Sequence, residues 1–72
     1  MATEAINQIK RGIQAACDKQ RISIVDAALK AEVAPSTMYR FVSGGNITIA
    51  TLLTFINVGL GLKLETLLRM GK

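Results

Sequence analysis

The chain of 72 residues contains no tryptophan, no histidine, one cysteine and one proline. Each scarcity closes off a class of chemistry. A lone Cys17 cannot form an intramolecular disulfide, and an unpaired thiol fits a reducing, cytosolic compartment. Without histidine the chain lacks the side chain that most often moves protons near neutral pH. The carboxylates Glu4, Asp18, Asp26, Glu32 and Glu65 are scattered, with no spacing that suggests an acid–base pair or a metal cluster. No catalytic residue, metal or cofactor is therefore expected. Gly59-Leu60-Gly61 is too short and too late in the chain for a nucleotide loop, and reads as a helix stop. Aromatics are limited to Tyr39, Phe41 and Phe55, so any core must be aliphatic.

What the chain does have is a large apolar share, 50% of its residues, enough to fold one small domain. A domain of this size lies near the lower limit for a single core, and association into oligomers is a common source of extra stability. Nine Lys/Arg against five Asp/Glu leave a net charge of +4, which suits a polyanionic partner but also serves solubility. The polar, charged start of the chain is unlike a signal peptide. Residues 41–62 carry no charge, but they include Ser43, Gly44, Gly45 and Asn46, whose loop backbone would be left unpaired in lipid. No membrane span is expected.

Periodicity predicts an all-α domain of five helices, at about residues 4–19, 23–31, 35–42, 48–58 and 64–70. Thr3 is the expected cap of the first, whose stripe is Ile6, Ile9, Ile13 and Ala16/Cys17. Gly12 weakens that helix by about 1 kcal/mol relative to alanine unless close packing requires it. Ser23 with Asp26 resembles a capping box opening the second helix. Pro35 suits the first turn of the third, where its missing N–H costs nothing. Two short helices joined by so short a turn have the signature of a helix-turn-helix unit. Thr48 caps the fourth helix, which Gly59 or Gly61 ends.

Residues 24–43 resemble the helix-turn-helix pattern of the phage Cro and repressor family, the XRE type. Its apolar positions are held by Ala27, Ala31, Val33, Met38 and Phe41, and its small helix-crossing position by Ala28. Beyond the unit, Gly44 and then Asn46-Ile47-Thr48-Ile49-Ala50-Thr51-Leu52-Leu53 are similar to the family's loop and fourth helix. The run from Gly59 through Leu68 is similar to its closing segment. The sequence departs from the pattern where Ile24 replaces a phosphate-gripping glutamine and where Glu32 replaces the turn glycine. Glu32 in a left-handed conformation implies strain of about 1 kcal/mol. Ala27 and Ala31 replace larger aliphatics, so Met38, Phe41 and Leu29 are expected to fill the space.

The resemblance implies a sequence-specific regulator that binds double-stranded DNA, with Ser36, Tyr39 and Arg40 reading bases from the third helix. Helical spacing agrees, because these three share one side while Met38 and Phe41 point the other way. Arg40 can donate two parallel bonds to guanine, about 1–3 kcal/mol of discrimination; its plainer alternatives are a phosphate or Glu32. Backbone contacts are expected from Ser23, Thr37, Ser43, Gly44, Gly45, Asn46 and Arg21, with loop amides holding a phosphate. Lys10, Arg11 and Lys19 read as solvated charges.

Thr48, Thr51, Thr54 and Asn57 form an uncharged polar stripe, which suggests partial burial at a subunit contact. Leu60, Leu62, Leu64 and Met70 are the expected homodimer interface, setting two reading helices about one DNA turn apart on a near-palindromic site. No small-molecule ligand is expected. The rival reading is a protein-interaction module, an antitoxin or adaptor on the same fold, that does not bind specific DNA. Missing glutamine at position 24, modest charge and high apolar content favour it.

Overall fold

In the computed structural model, which describes residues 2–72 with side chains from Glu4 onward, the chain is all-helical. Helix α1 spans Ala2–Gln20, α2 Ile24–Lys30, α3 Pro35–Val42, α4 Ile49–Thr54 and α5 Leu64–Met70. A π-helical segment, Phe55–Gly59, continues directly from α4. No strand occurs among the described residues.

The first helix begins at Ala2, so Thr3 already lies inside it rather than capping it, and the Thr3 side chain falls outside the described residues. The apolar stripe buries Ile13, Ala16 and Cys17, whereas Ile6, at its N-terminal end, stays 42% exposed. Residues 60–71 run antiparallel along α1, with Leu60 at Gln20, Leu67 at Gly12 and Gly71 at Gln8, and three side-chain bonds tie the two together. Gln20 Nε2 donates to the Leu60 carbonyl (2.8 Å), Gln8 Nε2 to the Leu68 carbonyl (2.7 Å) and Arg11 Nε to the Gly71 carbonyl (2.7 Å). Gly12 explains itself here. A Cβ at that position would collide with the Leu67 carbonyl oxygen and stand 2.9 Å from Leu67 Cγ. Its absence lets two helix backbones touch.

Helix α2 packs on the π segment in the same way. A Cβ on Gly59 would lie 2.5 Å from the Ala27 carbonyl oxygen and 3.4 Å from Ala31 Cβ. Glycine at 59 is therefore required by the approach of the α2 backbone, and the Ala31 side chain lies in contact with it. Leu29 does not help fill this space, contrary to expectation: it is 61% exposed, while Met38 and Phe41 are buried. The fourth helix is capped as predicted, with Thr48 Oγ1 accepting from the Thr51 N–H (3.2 Å), but it widens into the π segment after Thr54. Gly61, at φ +67°, turns the chain out of it.

Three helices end in the same exit. Following α1, Ile22 N–H reaches the Cys17 carbonyl and Arg21 N–H the Asp18 carbonyl; following α2, Val33 reaches Ala28 and Glu32 reaches Leu29. After α3, Gly45 reaches Arg40 and Gly44 reaches Phe41. This paired pattern needs one left-handed residue, supplied by Arg21 (φ 57°), Glu32 (φ 58°) and Gly44 (φ 112°). Among the described residues no single helix is long and apolar enough to cross a membrane.

Candidate nucleic-acid interface

The pair α2 and α3 is fixed at both ends of its connection. Ser23 Oγ accepts from the Asp26 N–H (3.0 Å) and starts α2; the left-handed Glu32 stops it; Pro35 occupies the first turn of α3. The apolar pair Met38 and Phe41 turns into the core, at 0% and 4% exposure. That anchorage leaves Ser36, Tyr39 and Arg40 exposed together on the opposite side. Thr37 is half-buried and lines an open groove with Ala34, Thr51 and Thr54, so it faces α4 more than the side that carries Ser36, Tyr39 and Arg40.

Arg40 does not pair with Glu32. The one ion pair among the described residues joins Arg11 to Glu4 (2.9 Å). Gly45 lies against the Arg40 stem, so close that a Cβ there would be 2.6 Å from Arg40 Cγ. The loop after α3 thus braces the arginine from behind. Arg21 is exposed and lies two residues before the Ser23 cap.

The loop itself corrects the phosphate assignment. The N–H groups of Ser43, Gly44 and Gly45 donate to the carbonyls of Tyr39 (3.0 Å), Phe41 (3.1 Å) and Arg40 (2.7 Å). These amides close the helix and are not available for a phosphate. The Ser43 hydroxyl and the Asn46 side chain remain as the loop's outward polar groups. Lys10, read from sequence as a solvated charge, instead holds its Nζ 5.3 Å from the Phe41 ring centroid. The signal for this was its place beside Ile9 and four residues after Ile6, flanking the apolar stripe.

Of the expected subunit contact, Leu60 is corrected outright: at 3% exposure it belongs to the molecule's own core. Leu62, Leu64 and Met70 are half-buried against that core. The neutral stripe has a local explanation as well. Thr48 and Thr51 bond to each other (2.8 Å), Thr54 Oγ1 donates to the Ala50 carbonyl (2.9 Å), and Thr48, Thr54 and Asn57 are exposed. These hydroxyls are satisfied within their own helix, so their neutrality needs no covering partner.

Cys17 is buried, and its thiol is pushed above the ordinary value of 9.0, first by desolvation and second by the neighbouring Asp18 charge. It behaves as a small core side chain. No protein-family model matches this chain, and comparison with curated proteins and with solved structures finds no match.

Proposed function

We propose that this protein is a sequence-specific duplex-DNA-binding regulator of the Cro and repressor type, acting as a homodimer on a near-palindromic operator. One observation carries the reading. An eight-residue helix is anchored by Met38 and Phe41 and presents Ser36, Tyr39 and Arg40 outward, unobstructed by the other described residues. A helix so mounted fits the major groove, where residues of its exposed side reach base edges. Arg40, braced by Gly45 and unpaired with Glu32, supplies the bidentate donor that guanine selects. Ser23, Arg21, Ser43 and Asn46 flank it as backbone contacts. Subunit pairing would use what Leu62, Leu64 and Met70 leave uncovered, together with Val58, which is 50% exposed.

Selecting bound sites from a random duplex pool tests the proposal. The expected product is a two-fold symmetric motif whose preference relaxes at one position per half-site with Arg40→Ala. Uniform loss across all sequences would reduce Arg40 to a phosphate contact, and no enrichment at all would reject DNA reading. Sedimentation at micromolar concentration, with and without the selected site, tests the dimer; a monomer in both rules it out. An interaction module without DNA binding draws support from Leu29 and Ile49, which are 61% and 70% exposed. Binding that is insensitive to salt, or no duplex binding, favours that second reading.

A further inference from the structure

A cleft of about 230 Å³ opens between α1 and the segment after α3, walled by Ile6, Ile9, Phe41, Ile47 and Leu52. Its lining contains one charged group, Lys10, and one polar side chain, Asn46. We propose that this cleft binds a small amphiphilic carboxylate, its alkyl or aryl body on the isoleucine wall and its carboxylate on the Lys10 ammonium. The inference does not rest on DNA reading, although the cleft shares Asn46 with the proposed backbone contacts.

Three features select that chemistry. First, Lys10 is half-buried and inclined over the Phe41 ring instead of extending into water, so its charge is held at the cleft. Second, the positions three and four residues from Lys10 on α1 are Ile6, Asn7, Ile13 and Gln14, none of them acidic. The one ion pair among the described residues joins Arg11 to Glu4, so Lys10 has no carboxylate among the described ion pairs. An apolar recess with one fixed cation favours an apolar anion over a neutral hydrocarbon or a polyanion. Third, the apolar lining continues to Ile6 and Ile49, exposed by 42% and 70%, which gives an alkyl chain a surface to leave along. The volume lies below the roughly 300–1,000 Å³ of pockets for drug-sized ligands, so the occupant is a medium-length chain or a single ring.

Titration of the ¹⁵N-labelled full chain with sodium octanoate below its micellar range, beside octan-1-ol as the uncharged counterpart, tests the site. The expected result is saturable shifts at the amides of Ile6, Lys10, Asn46 and Ile47, with the alcohol weaker by about tenfold. Lys10→Met should lose about the same factor for octanoate and leave the alcohol unchanged, while Lys10→Arg retains octanoate binding. No saturable shift, shifts centred elsewhere, or equal affinity for acid and alcohol would overturn the proposal. The acid–alcohol comparison on the unaltered chain decides the matter even if a variant at Lys10 does not fold.

Discussion

Arg21 and Glu32 hold left-handed backbone with full side chains, at φ 57° and 58°, in a position glycine fills after α3. The cost for an L-residue there is about 1–2 kcal/mol, against about 0.4–1 kcal/mol of unfolded-chain entropy that glycine would add. Glu32→Gly is therefore expected to stabilise the fold by up to about 1 kcal/mol and to raise Tm by at most roughly 4–8 °C. A lowered Tm in calorimetry would mean that Glu32 has an attraction that outweighs its strain. Gly12→Ala runs the other way. The gain of about 1 kcal/mol in helix propensity is outweighed by a clash between the new Cβ and the Leu67 backbone, with overpacking costing about 1–3 kcal/mol. The variant should have a lower denaturant midpoint than the parent.

Cys17 yields a prediction in pH. Its thiol is raised by burial, so the folded chain keeps a proton that the unfolded chain releases first. That contribution is complete below the unfolded value near 9.0 and declines as pH rises toward the higher folded value. Cys17→Ala should flatten the alkaline fall in stability, measured by denaturant titration from neutral pH upward. Native protein should also resist alkylation under conditions in which the unfolded chain reacts at once.

Among the secondary-structure elements, agreement between sequence and structure follows from how local each signal is. Ser23 and Thr48 each accept the N–H three residues on, and Pro35 presets the first turn through its own ring, so α2, α3 and α4 begin where these side chains place them. Met38 and Phe41 define the inner side of α3 by spacing alone, and the outward positions of Ser36, Tyr39 and Arg40 follow. Longer-range packing was not legible. Nothing in the sequence marks Phe55–Gly59 as a π segment, because its widening answers to α2, whose Ala27 backbone it meets at Gly59. Leu29 and Leu60 have equal hydrophobicity, yet one is 61% exposed and the other 3%. Composition cannot order them; contact with the end of α1 does. The loop after α3 was recognisable as a glycine-rich turn, but its amides serve the helix exit, and this depends on the sign of φ at Gly44.

For the whole molecule, the +4 charge and the outward side of α3 bear on the same measurement. A dimer of the proposed kind that neutralises about four phosphates in total, its neutral contacts adding none, should lose affinity with a log–log slope against salt of about −3 to −4. Arg40→Ala should leave that slope nearly unchanged if the residue reads a base, and make it shallower by about 2, one unit per subunit, if it neutralises a phosphate. Fluorescence anisotropy across a salt series on one fixed site measures both. A flat profile would remove electrostatic attachment from the account altogether.

The antiparallel seam between α1 and residues 60–71 also governs the order of events during synthesis. A nascent polypeptide extruded only as far as Gly59 has made the whole of α1, yet nothing covers the flank on which Leu67 later settles. Chaperones that capture greasy helices have their opportunity in that interval, and it closes only when α5 emerges.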